Sequence, residues 1–378
     1  MNIKPIEWNP QTSTIEEFKK KHGVVEVVDA YDELLEELFL IRNPKYKFDK
    51  NYQEPLNAFK KDHCGDKAPQ ESGSWFLFPW NKKLVHYLPH ELHFELRTAR
   101  NKNIITEDEQ RRLYDFTVGV AGLSVGSHVA LTLSLMGMCR HIKIADPDTV
   151  SGSNLNRIRY DYTVIGKKKT ALARESIYQM NPYAIVEEFE EGITSENIES
   201  FLGSEKKVDL LVEEMDHLEM KIRIRLEARK RKIPVVMATD NGDGVIVDVE
   251  RFDLEPEAKL FNGAVGDITV EEFQKFPPQD MPKLATKIVG PHFVVPRMLQ
   301  SLLEVGRTLY SWPQLGDAAT LAGVSVAYAV KRIALGQKIK TGKLEINLDS
   351  VFDPEYDTEA SKKDRAAVLA DFMGKIGL

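Results

Sequence analysis

TVGVAGLSVGSHVALTLSLMGMCRHIKIAD, residues 117–146, is the stretch that decides the fold. It opens with an apolar run, passes through Gly122 and Gly126, continues as an uncharged segment over 127–138, and ends in a second apolar run before Asp146. This pattern is typical of a buried strand, a glycine turn, a buried helix and a second buried strand. We therefore predict a strand–turn–helix–strand unit whose two strands lie inside a sheet.

The same alternation continues towards the C-terminus. Strands that alternate with helices form parallel sheets covered on both faces, so the chain is predicted to be an α/β protein with a Rossmann-like, mostly parallel sheet. Two later runs, GVIVDVERF (244–252) and LEINLDSVF (344–352), are predicted to extend it by antiparallel strands. The remaining predicted elements are helices over 168–180, 195–202 and 219–232 and strands over 184–190, 208–213 and 234–239.

Four segments are predicted along the chain. Residues 1–95 form an N-terminal accessory region, with a helix over 30–42, a polar irregular stretch over 43–73, and a hairpin made from FLFPW and LVHYLP. Residues 96–270 form the main domain, and residues 271–350 complete it with a buried helix over 318–335. Residues 351–378 form a charged C-terminal tail that ends in a surface helix.

The composition narrows the class of protein. The 378 residues carry a net charge of −7, which gives no sign of a basic groove for nucleic acid. Cys64 and Cys139 are too far apart in sequence for a CxxC zinc pair or a disulfide framework. The polar N-terminus has no signal peptide, so we expect a cytoplasmic protein. The uncharged stretch 116–138 has the length of a membrane span, but its glycines and polar residues favour strand, turn and helix, and no membrane partner is expected.

The glycine turn is a candidate phosphate site. Glycines at the end of a strand let backbone N–H groups approach a phosphate, and the N-terminus of the following helix favours negative charge. The spacing from Gly122 through Ser124 to Gly126 is not a strict GxGxxG, and an ordinary strand-to-helix turn explains it equally well. Asp146 follows Gly126 at the offset of a ribose-binding acid in Rossmann folds. At this point NAD, FAD and ATP all fit.

The loop after the second strand distinguishes between these nucleotides. Within it, two acids, Asp146 and Asp148, are followed by Asn154, Asn156, Arg157 and Lys169. A triphosphate needs cations while pyrophosphate leaves, whereas a dinucleotide does not. A lysine at a helix N-terminus is disfavoured by the macrodipole, and a bound polyphosphate would reverse that effect. Solvated lysines on a turn are the alternative, but beside Arg157 the loop favours ATP.

A second acidic segment follows a later strand. LLVEEMDH places Glu213, Glu214 and Asp216 at the carboxyl end of that strand, the edge at which such sheets bind ligands. Carboxylates there suit Mg²⁺, which takes one or two protein oxygens and completes its shell with phosphates and water. In strand geometry Glu214 and Asp216 would share a face. An acidic strand end capped by water is the alternative.

These motifs together resemble the ThiF/MoeB/HesA family, the relatives of ubiquitin-activating enzymes. The resemblance covers about residues 96–250 and is most specific in DPDTVSGSNLNR (146–157), IGKKK (165–169), NP (181–182) and MDH (215–217). It implies an adenylyltransferase, a nucleotidyltransferase that uses ATP and Mg²⁺ to adenylate a carboxylate and releases pyrophosphate. The substrate is then the C-terminus of a small carrier protein or a peptide.

The resemblance also implies roles for single residues. Asp146 is similar to the ribose-binding aspartate, Asp216 to the Mg²⁺ aspartate, and Lys169 and Arg157 to the residues that contact the ATP phosphates. Arg100, with Arg97 beside it, is similar to the arginine that reaches the ATP of a partner subunit, which implies a homodimer. The implied catalytic residues are Arg100, Arg157, Lys169 and Asp216, and the implied nucleotide-binding residues are Gly122, Ser124, Gly126, Asp146, Asp148, Ser153, Asn154, Asn156, Arg157 and Lys169.

The chain departs from the family pattern at several positions. Ser124 stands where a glycine is usual, Ile158 replaces a glutamine, and Glu214 and His217 replace a small residue and an asparagine. The family's zinc cysteines are absent and no cysteine follows Asp216, so we expect no zinc and no enzyme-bound thioester.

Within the family, the flanking segments look similar to the MoeY-type branch. Three alternatives stay open: a ThiF-like enzyme that activates a side-chain carboxylate of a ribosomal peptide, an NAD(P)- or FAD-dependent oxidoreductase, and a non-catalytic relative that only binds nucleotide.

Overall fold

The structure is a computed structural model that describes residues 3–203 and 206–378. The chain divides into two compact units, which are described separately. The first holds residues 1–114 together with 136–138 and 175–184, and the second holds 115–135, 139–174 and 185–378. Residues 96–114 thus belong to the first unit and 271–378 to the second, while the domain limits given above stay predictions.

The first unit combines a small sheet with several helices. The helix expected over 30–42 is confirmed, but the expectation of an irregular stretch over 43–73 is wrong, because a helix occupies Gln53–Cys64. Leu56 is the one buried side chain of that helix among the described residues, too few apolar positions to reveal its period. The elements are strands β1 (Ile6–Glu7), β2 (Glu26–Val28), β3 (Ser74–Phe78) and β4 (Lys83–Tyr87), and helices α1 (Ile15–His22), α2 (Tyr31–Arg42), α3 (Gln53–Cys64), α4 (His90–Thr98) and α5 (Glu107–Asp115).

The hairpin predicted in this unit is confirmed. β3 and β4 pair antiparallel, with Phe76 opposite Val85, inside a four-stranded sheet of order β1-β3-β4-β2. His86 on β4 is buried between the rings of Trp75 and Tyr31, each with its centroid 4.0 Å away. This stack ties the hairpin to α2.

The second unit contains the predicted mostly parallel sheet. Its seven strands lie in the order β11-β10-β9-β8-β5-β6-β7. The five strands from β9 to β7 pair in parallel, while β10 pairs antiparallel with both β9 and β11. The antiparallel extension is therefore confirmed. The strands are β5 (Val118–Ala121), β6 (His141–Ala145), β7 (Ile185–Phe189), β8 (Leu210–Glu213), β9 (Val235–Asn241), β10 (Gly244–Glu250) and β11 (Gly342–Ile346).

Helices cover the sheet of the second unit. α6 and α13 pack against each other so closely that a Cβ on Gly323 would lie 2.5 Å from the Cβ of His128. α8 and α9 bury Phe201 and Ile222 in a separate cluster with Leu211 and Met237 of the sheet. The helices are α6 (Val125–Leu135), α7 (Lys169–Met180), α8 (Ile198–Gly203), α9 (Leu218–Lys230), α10 (Val270–Phe273), α11 (Met281–Val289), α12 (Pro296–Leu302), α13 (Gly316–Ala334), α14 (Asp349–Phe352) and α15 (Glu359–Ile376).

One detail differs from the sequence predictions, and another agrees with them. The predicted strand LEINLDSVF is shorter, because β11 ends at Ile346 and Asp349–Phe352 forms a helical turn. The uncharged stretch 116–138 forms β5 and α6, as predicted. In the described ranges, no helix has both the length and the apolar character needed to cross a membrane.

The strand order indicates that a ligand would bind between β5 and β8. The chain runs from β5 through β6 to β7 on one side, and then continues with β8 and β9 on the other. In such sheets ligands bind where the order reverses, at the carboxyl ends of the strands. Those ends lie at Ala121 and Glu213.

Candidate functional site

The glycine turn directly follows β5, at this reversal. Gly122 has φ +93°, a conformation that other residues rarely adopt. A Cβ there would lie 2.4 Å from the carbonyl oxygen of Glu214, the residue after β8. Gly122 N–H donates to Ala145 O at 2.7 Å, and Glu214 N–H donates to Ala121 O at 2.7 Å. Only glycine therefore lets the ends of the two strands close on each other.

Asp146 is bound to this turn. Its carboxylate is buried and accepts hydrogen bonds from Leu123 N–H at 2.6 Å and from Asp148 N–H at 2.8 Å. Burial raises the pKa of Asp146, while Lys169 and the two N–H groups act in the opposite direction. Because a carboxylate accepts about four hydrogen bonds, Asp146 keeps acceptor capacity for a ligand.

Lys169 is the first residue of α7 and lies beside Asp146. Its side chain is buried, and its ammonium group lies 3.6 Å from Asp146 Oδ1 and 2.8 Å from Asp148 Oδ2. The neighbouring Lys168 instead donates to the carbonyl oxygens of Pro147 and Glu190. Among the described contacts, Lys169 is the one lysine of the IGKKK segment that is bound to the acids of the site.

Arg157 is held next to the glycine turn. Its guanidinium donates to Ser124 Oγ at 3.3 Å, Ser153 O at 3.0 Å and Asn156 Oδ1 at 3.0 Å. His128 of α6 donates from Nε2 to the carbonyl oxygen of Arg157 at 2.5 Å. The side chain is half-buried, which lowers its pKa, although Asp240 and Asp216 oppose that shift. These contacts hold the loop that carries Arg157 against the glycine turn.

The amide side chains of this loop shape it. Asn154 Oδ1 accepts from Ser151 N–H at 3.1 Å, so Asn154 closes a short helical turn. Asn156 Nδ2 donates to the carbonyl oxygen of Gln314 at 2.6 Å, which connects the loop to the segment before α13. Ser153 contributes its backbone carbonyl to Arg157 and its hydroxyl to Ser151 Oγ. These contacts position Arg157.

The three acids at the end of β8 and just beyond it have different surroundings. Glu213 is fully buried and paired with Lys221 and Arg225; burial alone would raise its pKa, but the two cations lower it. Glu214 accepts from Ala238 N–H at 2.9 Å, and burial raises its pKa well above the usual value. Asp216 is exposed and lines a cavity.

The expected strand geometry of this segment is wrong, because β8 ends at Glu213 and the next two acids lie beyond it. Within residues 3–203 and 206–378, no group of three or more His, Cys, Asp or Glu side chains is arranged as a metal cage. Asp216 nevertheless fits Mg²⁺, which commonly uses a single protein carboxylate beside phosphates and water. Glu213 does not fit Mg²⁺, because Lys221 and Arg225 already neutralise its charge.

A cavity of about 630 Å³ opens beside these residues. The lining has a mainly polar end at the sheet edge and a mainly apolar end at the helices, where Lys283 and Thr286 are also present. The polar end is lined by Ser124, Glu214, Asp216, Lys221, Asp240 and Gln314. The apolar lining comes from α11, α12, the segment before α13 and α15, and it includes Met281, Ala285, Ile288, Met298, Leu299, Trp312 and Phe372.

Asp240 is a site residue that the sequence analysis missed. It is 8% exposed, and its Oδ2 accepts from Gln314 Nε2 at 3.1 Å. Its Oδ1 is buried and has no hydrogen-bond partner in the part of the chain that is described. Burial raises the pKa of Asp240 to about 6, against the effects of Gln314 and Arg157. The signal was available, because Asp240 lies near the carboxyl end of β9, at the same sheet edge as Asp216.

Arg100 lies in the first unit, in a short helical turn after α4. It is exposed and lines a groove of that unit together with Lys47, Lys50 and Lys102. Its role towards a partner subunit stays a prediction.

Both cysteines are free, and Cys139 is buried, which raises the pKa of its thiol.

The ThiF family model matches residues 97–303 of this chain. The uncharacterized protein MT1398 of Mycobacterium tuberculosis is 32% identical over 327 residues, which are 86% of this chain and 45% of that protein. The chain therefore spans less than half of that relative's length. The adenylyltransferase and sulfurtransferase UBA4 of Candida albicans is 35% identical over 101 residues, which are 26% of this chain and 22% of that protein.

Solved structures also align with part of this chain. The E. coli tRNA N6-threonylcarbamoyladenosine dehydratase in complex with AMP aligns with a TM-score of 0.46 and 18% identity. The alignment covers 64% of this chain and 95% of that chain.

Proposed function

This chain belongs to the ThiF family, and we propose that it is an ATP- and Mg²⁺-dependent adenylyltransferase that activates a carboxylate. The family supports an enzyme of this general kind, since a relative that matches part of the chain is named an adenylyltransferase. In this proposal the carboxylate belongs to the C-terminus of a small carrier protein or to a peptide.

The convergence of one acid and two cations on the glycine turn carries the proposal. Asp146 binds the turn through Leu123 N–H, and Lys169 lies 3.6 Å from Asp146. Arg157 binds the turn through Ser124 Oγ. A dinucleotide site needs the turn and the acid, but a triphosphate also needs cations close to its leaving group. The arrangement therefore favours ATP.

Each of these groups has a definite task with ATP bound. The N–H groups at the start of α6 and the turn before it face the phosphates, where the positive end of the helix dipole stabilises their charge. Asp146 accepts the ribose hydroxyls with the lone pairs that Leu123 and Asp148 leave open. Ser124, already bound to Arg157, adds a hydroxyl beside the phosphates.

Adenylation joins a carboxylate oxygen to the α-phosphorus of ATP. The bond from that phosphorus to the oxygen that bridges the β-phosphate breaks, and pyrophosphate leaves with the electron pair. Arg157 offers a planar fork for two phosphate oxygens, and Lys169 offers a compact charge. Both act where negative charge accumulates as pyrophosphate departs.

Asp216 is the residue that would hold Mg²⁺. Its side chain is exposed on the cavity at the sheet edge, and a single carboxylate with phosphate and water oxygens completes the usual magnesium shell. When bound there, the ion would neutralise part of the phosphate charge. Glu214, which is half-buried and bound to Ala238 N–H, stays outside that shell.

Two further parts of the proposal concern the assembly and the product. Arg100 is exposed in the first unit, and we assign it to the ATP of a second subunit in a homodimer. The sequence has no cysteine after Asp216, so the acyl-adenylate is passed on without a thioester on this enzyme.

ATP–pyrophosphate exchange with candidate carboxylates tests the function. We expect exchange in the wild-type chain, and a loss of about a hundredfold or more in Asp216→Ala, because the leaving group then lacks part of its charge neutralisation. Asp357→Ala is the matched control, since Asp357 is exposed in the loop before α15 and does not line the cavity. It should exchange like the wild type.

Nucleotide binding provides the decisive contrary result. Thermal stabilisation by Mg·ATP is expected in the wild-type chain and should grow with ligand concentration. If NADH, NADPH or FAD stabilises the protein and Mg·ATP does not, the adenylyltransferase proposal is wrong and the oxidoreductase alternative gains support.

A further inference from the structure

The polar end of the cavity contains an acid that the adenylation chemistry leaves unused. Asp240 is 8% exposed and lines the cavity with a buried Oδ1 that has no hydrogen-bond partner among the described residues. Leaving a buried polar atom unpaired costs free energy, so Oδ1 of this cavity-lining residue is an open position for a hydrogen-bond donor. The missing partner is a donor, because an ionised carboxylate only accepts.

The second oxygen of Asp240 is already fixed. Gln314 Nε2 donates to Oδ2 at 3.1 Å, and the backbone carbonyl of Gln314 accepts from Asn156 Nδ2 at 2.6 Å. Asn156 in turn contacts Arg157. This chain of contacts holds the acid in one orientation relative to the arginine assigned to the reacting phosphate. Oδ1 is thus a hydrogen-bond acceptor near the reaction centre, and its position is fixed before a substrate binds.

Arg157 connects the acid to the reacting carboxylate. It lies close enough to both Asp240 and Asp216 that the two carboxylates oppose the lowering of its pKa by burial. A substrate carboxylate directed at Arg157 therefore lies near both Asp240 and Asp216, the proposed Mg²⁺ ligand. A donor to Asp240 would come from an atom a few bonds away from that carboxylate, such as the nitrogen on its α-carbon.

The rest of the cavity is mainly apolar, although Lys283 and Thr286 of α11 also line it. Ala285 and Ile288 of α11, Met298 and Leu299 of α12, and Phe372 of α15 form its walls. A volume of about 630 Å³ is in the range of small-molecule sites, and an apolar body that fills it releases water from apolar surface. A glycine residue at this place has no side chain to cover the apolar walls, so those walls would stay in contact with water.

We propose that this cavity binds an α-amino carboxylate unit with a bulky apolar side chain. The side chain occupies the apolar end, the α-nitrogen donates to Asp240 Oδ1, and the carboxylate faces Arg157. The unit is either the last residue of a peptide or a free amino acid, since both share this chemistry. This inference rests on the proposed adenylation and names the substrate class for it.

The test is pyrophosphate exchange by the full chain with four sets of probes. These are peptides that end in Leu or Phe, the same peptides ending in Gly-Gly, free Leu and Phe, and Leu-ended peptides whose terminal residue is N-methylated. We expect roughly tenfold to hundredfold better exchange for an apolar end than for Gly-Gly, and a similar loss on N-methylation. The peptide and free amino-acid arms distinguish the two sources.

Variants connect these losses to the residues. In Asp240→Leu the discrimination against N-methylation should collapse to below about threefold, because the acceptor is gone. In Ala285→Phe exchange with Phe-ended peptides should fall more than exchange with Gly-Gly, because the cavity is filled. Asp243→Asn, an exposed position outside the cavity, is the control and should keep both preferences. Stabilisation by Mg·ATP shows that each variant is folded.

Several results would overturn the inference. Gly-Gly peptides that exchange as well as apolar ones, or N-methylation that costs the same in wild type and in Asp240→Leu, would show that the cavity does not select this unit. In either case adenylation itself would stand. Absence of any Mg·ATP binding would instead remove the proposed function, so the two failures are separable.

Discussion

The ammonium group of Lys169 lies 2.8 Å from a carboxylate oxygen of Asp148. The lysine side chain is 6% exposed and that of Asp148 is 66% exposed, so the cation is buried while its partner faces solvent. Lys169 also begins α7, where the helix dipole opposes a positive charge. A phosphate oxygen that takes the place of Asp148 would keep the cation paired.

The first prediction concerns which lysine binds the nucleotide. Lys169→Met should weaken Mg·ATP binding by about tenfold to a hundredfold, because a charge-assisted contact to phosphate is lost. Lys168→Met should change it by less than about threefold, since that side chain is bound to the carbonyl oxygens of Pro147 and Glu190. Isothermal titration calorimetry measures both. Equal losses in the two variants would show that net charge, not the position of Lys169, governs binding.

The second prediction concerns the closure of the sheet edge. Gly122→Ala should lower the free energy of unfolding by about 3 kcal/mol or more, because the new Cβ combines a strained φ with a contact to Glu214 O. Gly263→Ala has a similar φ of +85° but open space around its Cβ, so it should cost only about 1–2 kcal/mol. Urea unfolding compares them. If both cost the same, the close approach to Glu214 is relieved by a small shift.

The third prediction concerns the buried ion pairs behind the site. Arg225 is fully buried between Glu213 and Glu250; burial would lower its pKa, but the two acids raise it. Arg225→Met should destabilise the protein by about 3–5 kcal/mol, because two acids remain buried without their partner. Arg229→Met breaks an exposed pair with Asp267 and should cost less than about 1 kcal/mol. Denaturant midpoints at constant slope measure the difference, and a mild Arg225→Met would mean that Lys221 alone satisfies Glu213.

The fourth prediction concerns pH. Burial raises the pKa of Asp240 to about 6, with Gln314 and Arg157 opposing the shift and Asp317 adding to it. The folded state therefore holds a proton between about pH 4 and 6 that the unfolded state has released, so this acid makes stability fall as the pH rises through that window. The loss is at most about 3 kcal/mol and is complete above about pH 7.

The variant Asp240→Asn tests this pH dependence, because it cannot titrate. The difference in unfolding free energy between wild type and variant should change between pH 4 and 6 and stay constant above pH 7. Unfolding curves in urea at a series of pH values give that difference. Parallel curves over the whole range would show that Asp240 keeps an ordinary pKa.

The alternation of strands and helices could be predicted from the sequence, because each hydrophobic period involves only residues that are close together in the chain. The apolar runs that became β5, β6 and β8 and the helices between them follow from spacing within a few residues. α3 escaped detection because its one buried residue, Leu56, leaves no period to read. An exposed helix buries few apolar residues, so its hydrophobic pattern does not predict it.

Within the candidate site, the sequence by itself determined which local segments carry the proposed residues. Gly122, Asp146, Arg157 and Lys169 could be proposed because glycines, acids and cations occur within short segments after predicted strands, at the edge where such sheets bind ligands. Only the tertiary structure decided what surrounds them. The neutralisation of Glu213 by Arg225 depends on α9 packing under the sheet.

The pairing of Asp240 with Gln314 joins residues that are 74 positions apart, and the apolar walls come from α11, α12 and α15. Such contacts depend on how distant segments pack, which no local period encodes. For this reason the sequence could propose the nucleotide end of the site, while the shape and chemistry of the proposed acyl end depend on the folded chain.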